Sequence, residues 1–541
     1  MYLKSIAFGT ALVVLPQIAL AQDAGGEAPR RAVEVTPYIE ASQVVGAELS
    51  PGDDVVTYTQ LAAGVEALVV GRNNAASASL RYERRIDWND DGVDGDTISG
   101  IARVSAGIVP QALTIEAGAL ATRTTIDGNG AALAPATRSD DTSTQLYSAY
   151  AGPNLRGRLG EFEGTATYRF GYTRVEQPDA IAAAPTIAIA DVFEESTVHA
   201  ANARIGSAPG AALPVGIGIG GGFVQEDISN FDQRVRDTFV RADITVPVSR
   251  SVALVGGAGY EDVEISSRDV LVDPATGLPV VGADGRYVTD TTSPRRLAYD
   301  VDGLIWDVGV MWRPSRRTSA SAFVGRRYGS RSFGATFGWE PDGRSSFSAS
   351  VYDSISGFGG ALNNALALLP AEFRANRDSV TGELNPCVGT TEGQGCIGAF
   401  GSVRSAVFRS RGVVASYART AGRSSWGIGA GYDNRKFIAA DDTILSVADG
   451  VTDETVWTSA YWNRQIDRRS GLSLSAYANW FQSGFDEAGD SAAYGASAGY
   501  FRNLSAGLTG TAAISVTGIT RDELLDDIVT ASALLGVRYS F

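Results

Sequence analysis

Ser77-Ala-Ser-Leu-Arg-Tyr-Glu-Arg-Arg-Ile-Asp-Trp88 sorts into two faces. Its even positions are Ala78, Leu80, Tyr82, Arg84, Ile86 and Trp88; its odd ones are Ser77, Ser79, Arg81, Glu83, Arg85 and Asp87. A strand puts successive side chains on opposite faces, whereas a helix would smear both sets around its axis. Residues 161–175 repeat the pattern, with Phe162, Ala166, Tyr168, Phe170 and Tyr172 on one side and Glu163, Thr165, Thr167, Arg169 and Thr173 on the other. Residues 472–481 do so again, Leu472, Leu474, Ala476, Ala478 and Trp480 alternating with Ser473, Ser475, Tyr477, Asn479 and Phe481.

Alternation also occurs in soluble sandwiches, so three further features decide. The runs extend well past the roughly 5–6 residues usual in soluble strands, and a tilted spanning strand needs about 9–11. Aromatic residues collect toward strand ends (Trp88, Tyr172, Trp312, Trp339, Trp480, Tyr500), as interfacial girdles require. The connections alternate in kind. Tight, Arg-rich links at 152–158, 247–251, 313–318, 341–344, 420–424 and 467–471 separate longer acidic ones at 49–54, 87–96, 127–141, 266–296, 357–399, 439–454 and 521–527. Short periplasmic turns and long external loops are the asymmetry of outer-membrane barrels. The expected fold class is therefore all-β: a transmembrane antiparallel up-and-down β-barrel of about 22 strands, within a range of 20–24, with no plug domain.

The two ends of the chain fit this reading. Residues 1–21 carry Lys4, an apolar run and a closing Ala19-Leu20-Ala21, the form of a secretory signal peptide cleaved near Ala21. A short segment, 22–32, then precedes a single barrel domain, 33–541. In the last strand Val529, Ala531, Ala533, Leu535, Val537, Tyr539 and Phe541 share one side. An aromatic terminus with apolar residues at every second position resembles the signal that Gram-negative outer-membrane barrels, porin-like proteins among them, present to the barrel assembly machinery; Tyr539 and Phe541 are its candidate residues. The segments Val35-Thr-Pro-Tyr-Ile-Glu-Ala-Ser-Gln-Val-Val45, Arg81–Trp88 and Tyr168-Arg-Phe-Gly-Tyr-Thr-Arg-Val-Glu176 resemble a group of alphaproteobacterial barrels often labelled "preprotein translocase subunit YajC". The subunit proper is a small inner-membrane protein with one helical span, a description this sequence does not match. The resemblance implies the cell outer membrane as location, with its lipid and lipopolysaccharide as surroundings.

Function is less legible. A formal net charge of −16 excludes nucleic acid, which needs a basic footprint. The phase of each strand points Arg81, Glu83, Arg85, Arg103, Glu116, Glu163, Arg169, Asp237, Arg241, Asp243, Tyr461, Asn463, Tyr477 and Asn479 into the lumen. A ring of one sign would imply ion selectivity; mixed signs imply a hydrated, internally paired wall. The leading expectation is a passive channel for hydrophilic solutes. The alternatives are a structural or surface-interaction barrel with a loop-closed lumen, and an export barrel for polysaccharide or similar cargo that docks a periplasmic partner on its Arg-rich turns.

An enzyme is not expected. The one histidine, His199, has no assignable partner, and Gly216-Ile-Gly-Ile-Gly-Gly-Gly222 lacks the lysine and following helix of a phosphate loop. No cofactor is expected, beyond Ca2+ or another divalent cation on the external acidic loops. Asp87, Asn89 and Asp91, followed by Gly92, open like a calcium loop, but Ile98 stands where the bidentate Glu belongs. Loop 357–399 carries helical spacing over 360–375 and both cysteines, Cys387 and Cys396, whose pairing an oxidising compartment favours. It reads equally as an outward-facing stapled loop or as a constriction folded into the lumen.

Overall fold

In a computed structural model of the chain the described residues are 32–88, 95–126, 129–133, 143–176, 192–282, 286–385, 387–389, 394–397, 400–485, 489–521 and 527–541. The expected signal peptide lies outside them. Long antiparallel strands follow one another around a ring, from Ala32–Ser50 to Ile528–Ser540. The ring closes when these two pair in a register that runs from Tyr38 opposite Ser540 to Ala47 opposite Ala531. Closure leaves no lipid-facing sheet edge, which a bilayer does not tolerate.

The strand phases divide apolar from polar side chains. On Asn74–Asp87, Leu80, Tyr82 and Ile86 face outward and are exposed, while Ser77, Ser79, Arg81, Glu83 and Arg85 are buried inside. On Ser470–Gln482, Leu474 and Trp480 face outward and Ser475 bonds Ser497 across the inner wall. The outward apolar band and the closed sheet make this an outer-membrane protein. Ala476→Arg should therefore cost about 2–4 kcal/mol near the bilayer midplane, and Ser475→Arg much less. Equal losses in urea-titrated refolding into lipid would contradict the phase.

The first strand begins and the last strand ends beside short turns: Ala32 lies opposite Val70, and the Ser540 amide bonds Gly507 O at 2.7 Å. Other short turns are held by side-chain caps: Asp467 Oδ1 accepts the amides of Arg469 and Ser470 at 2.7 and 2.8 Å, and Asp342 Oδ1 that of Arg344 at 3.0 Å. One correction concerns a local boundary. Residues 152–158 are not a link but part of strand Ser143–Leu159; the turn is at Gly160, whose φ of 61° suits glycine. The pairing with strand Phe162–Glu176 skips Gly152 and Pro153, which accounts for the break read from the sequence. The C-terminal strand faces lipid with Leu535, Val537, Tyr539 and Phe541, and the Phe541 amide bonds Pro37 O at 3.0 Å. Phe541→Asp should lower the heat-modifiable barrel recovered from outer membranes; normal levels would count against the terminal aromatic as an assembly signal.

The expected fold class needs correcting. The continuous sheet holds 24 strands rather than about 22, because two short pieces, Ala131–Leu133 and Gly401–Ser402, pair with each other and join it from the loops. Nor is the interior unplugged. The described residues of loop 357–399, expected as either an external loop or a constriction, bond wall strands on their inner face.

Candidate functional site: the inserted segment

The insert begins with the helix Phe358–Leu368. It stops earlier than the 375 expected from its spacing because Leu369 precedes Pro370 and is extended, with φ −60° and ψ 147°. A residue before proline is driven out of the helical region. Glu226, on strand Gly216–Ile228, holds the start of this helix: its carboxylate accepts the amides of Gly357 and Gly360 at 2.8 and 2.7 Å and the Ser196 hydroxyl at 3.2 Å. These are amides that the helix cannot satisfy itself, and a carboxylate there also meets the positive end of the helix dipole. Gly359 allows the close approach, since a Cβ there would lie 2.0 Å from Ser196 Oγ.

Along the helix and beyond it the insert is tied to wall strands on opposite sides of the ring. On one side Asn363 Nδ2 donates to Thr173 Oγ1 at 2.8 Å and Ser148 Oγ at 3.1 Å. Ser77 donates to Ala371 O and accepts from Phe373 N, both at 2.9 Å. Arg377 reaches Ser79 Oγ at 3.0 Å and Ser99 Oγ at 2.8 Å, and turns back to Gly382 O at 2.8 Å. On the other side Ser459 donates to Asn385 Oδ1 at 2.9 Å, Asn463 to Asn376 Oδ1 at 3.2 Å, and Ser379 lies 3.0 Å from Ser473. Cys387 and Cys396 are joined in a disulfide on a small hairpin. Their sulfurs rest against Gly429, where a Cβ would lie 2.7 Å from each.

An apolar cluster joins the insert to the wall inside the barrel. Phe358, Leu362, Leu366, Leu369 and Phe373 of the insert meet Ile101, Leu120, Leu146, Val175 and Phe193 of the wall and loops. Above it, the loop residues Ile444 and Leu445 pack with Phe231, Val270 and Tyr287, and the Ile444 amide bonds Asp269 at 3.0 Å, so loops from distant strands meet over the mouth. Water cannot fill space that these side chains occupy.

The wall residues expected in the lumen are distributed as ion pairs. Arg81 sits between Glu40 at 3.2 Å and Glu83 at 3.1 Å, and Arg85 is 3.0 Å from Glu83. Arg103 meets Glu116 at 3.3 Å, Arg204 meets Asp243 at 2.6 Å and Arg241 meets Asp307 at 2.7 Å. Asp237 pairs with Arg327 at 2.7 Å, and Arg327 also reaches Glu261 at 3.2 Å. Arg169 bonds Asn364 of the insert, while Glu163 pairs with Arg158 at the exposed turn rather than in the lumen proper. Tyr461, Tyr477 and Asn479 line the far arc, Asn479 donating to Ala132 O at 3.4 Å. Because most of these cations pair with a carboxylate, and Arg169 with an amide, charges of both signs alternate along the wall.

Glu383 of the insert is 3% exposed, and its closest cation is Arg123 at 3.7 Å. Burial pushes its carboxyl above the ordinary range, with Arg123 pulling the other way.

Sequence reasoning missed Glu226, Asn363, Arg377 and Glu383. Glu226 sits in Gln225-Glu-Asp227, a run of polar residues that hides the strand phase. Asn363 and Asn364, paired on an otherwise apolar helix, were a readable signal for wall contacts. His199 faces outward, 2.8 Å from Tyr168 Oη and against the Phe170 ring, away from the interior. Of the calcium-loop residues, Asn89 and Asp91 lie outside the described residues, and Asp87 ends its strand. Among the described residues no group of three or more His, Cys, Asp or Glu is arranged to hold a metal.

No protein-family model and no curated protein matches the chain. Among solved structures it is similar to the closed form of the ferric-catecholate import receptor Fiu from E. coli K12, at 13% identity over 95% of this chain and 82% of that one, with a TM-score of 0.44. It is similar also to the FrpB iron transporter from Neisseria meningitidis, at 11% identity over 93% and 82% and a TM-score of 0.44. A third is the siderophore receptor PiuA from Acinetobacter baumannii, at 10% identity over 93% and 82% and a TM-score of 0.39.

Proposed function

We propose that this protein is a gated outer-membrane transport barrel, shut at rest by its own inserted segment, rather than a standing open channel. The observation that carries this reading is the path of residues 357–406. Its described residues bond wall strands on opposite sides of the ring and join an apolar cluster inside the barrel, which supports a narrowed lumen. The polar ties of the insert beyond its helix are mostly single hydrogen bonds to serine and asparagine, each worth about 0.5–1.5 kcal/mol net, and none is part of a strand pairing, so displacement can proceed without unfolding the wall. The paired charges behind it would then line a hydrated path for polar solutes. A purely structural barrel is the second reading, favoured by the apolar character of the same cluster. Osmotic swelling of proteoliposomes separates the three. Wild type should admit small sugars slowly and a barrel lacking 358–398 rapidly; rapid entry through wild type would restore the open channel, and slow entry through both would favour the structural barrel.

A further inference from the structure

The outward face of the barrel carries a cluster of cations that the described residues neutralise only in part. Arg326, Arg331, Arg409, Arg411 and Lys436 lie at the external ends of neighbouring strands Thr318–Arg327, Ser330–Asp342, Val407–Ala421 and Ser424–Ile438. Their phase is that of the lipid-facing Val324, Phe333 and Val413, not that of the inward Arg327, Asp433 and Arg435. Register sets Arg326 directly opposite Arg331 and Arg409 directly opposite Lys436. Like charges opposed on one face of a sheet destabilise it unless something anionic lies between them.

Elsewhere on the same rim the chain supplies that anion itself. Arg84 is opposite Asp96 and paired with it at 3.1 Å, Arg234 is opposite Asp227 at 2.5 Å, and Arg174 is opposite Glu195. In the cluster the one carboxylate is Asp353, fully buried between Arg409 at 2.7 Å and Arg411 at 3.4 Å. The Arg331 carbonyl accepts from both of these guanidiniums, which fixes them in place. Arg326, Arg331 and Lys436 are exposed, and among the described residues no carboxylate lies within ion-pair distance of them. The cluster has clear edges: Asp262 and Asp302 face outward on one flank, and Glu454, bonded by Asn434, stands on the other.

We infer that this patch is a binding site for the phosphorylated headgroup of an outer-leaflet glycolipid of the lipid A type. Depth selects the class of ligand: the cations sit at the external end of a wall that is apolar below them, with Phe333 under Arg411 at 5.7 Å. A molecule with a phosphate at the rim and acyl chains along Val324, Phe333 and Val413 meets both demands. Guanidinium forks donate bidentately to phosphate oxygens, and Lys436 adds a point charge. It is the only lysine outside the first 21 residues.

The test is a lipid titration of the refolded full barrel in neutral detergent, with bisphosphorylated lipid A, the same lipid dephosphorylated, and phosphatidylglycerol as probes. Wild type should bind the bisphosphorylated lipid at least about tenfold more tightly than either other probe. Arg331→Gln with Lys436→Gln should abolish that preference, and Arg84→Gln, on a self-neutralised part of the rim, should keep it. Equal binding of the first two lipids by wild type, phosphatidylglycerol binding as tightly as lipid A, or a double variant that retains the preference would each overturn the inference. Heat modifiability reports folding of the variants. If the double variant fails to fold, the wild-type comparison and Lys436→Gln alone decide.

Discussion

Glu226→Ala should release the inserted helix while leaving the barrel folded. In the intact protein this carboxylate is 2% exposed and accepts from two helix amides and the Ser196 hydroxyl. Truncation leaves all three donors without an acceptor in an enclosed site. Each buried donor left unmade costs about 1–3 kcal/mol, though water entering the vacated volume recovers part of the loss, so a net shift of about 2–5 kcal/mol toward the displaced insert is expected. That corresponds to roughly 30-fold or more in the ratio of displaced to seated forms. Hydrogen exchange reads the change directly: amides of Phe358–Leu368 should lose protection, while those of the wall strand Leu508–Arg521, remote from the helix, should not. Glu226→Gln, which keeps one acceptor oxygen, should fall between wild type and alanine. Unchanged exchange in the helix of the alanine variant would show that the apolar contacts of Leu362 and Leu366 hold it without the carboxylate.

How much of this was legible beforehand follows from what a strand writes into a sequence. Leu80, Tyr82 and Ile86 against Arg81, Glu83 and Arg85 report the wall and its two faces because period-two alternation is a local property. Tyr539 and Phe541 mark the last strand for the same reason. The sheet count was harder to read, since Ala131–Leu133 and Gly401–Ser402 are too short to alternate and pair only through the tertiary fold. The course of 357–406 was not decidable from its composition. A helix such as Phe358–Leu368 packs its Leu362 and Leu366 face equally well on an external loop or an inner wall. Its direction is set by partners distant in the chain: Glu226, Thr173 and Ser459. The lumen charges carried a similar ambiguity. Alternation placed Asp237 and Arg241 on the inner face, but pairing Asp237 with Arg327 and Arg241 with Asp307 requires the register of strands three and two positions away. The same limit hid the rim cluster, where Arg409 and Lys436 become neighbours only when their strands are set side by side.

The central claim is that residues 357–406 close the lumen, and single-channel recording in planar bilayers tests it most directly. The refolded wild-type barrel should stay near baseline, with at most brief, small steps. A barrel lacking residues 358–398 loses Phe358, Leu362, Leu366, Leu369 and Phe373 from the interior cluster together with both cysteines and every insert-to-wall bond from Asn363 to Asn385. It should conduct in long, large steps of low ion selectivity, because the wall behind the insert is charge-paired rather than of one sign. Both proteins must show the same heat-modifiable mobility, so that silence reports a closed barrel and not an unfolded one. Steady large steps from the wild type, or a folded deletion variant as silent as its parent, would contradict the account.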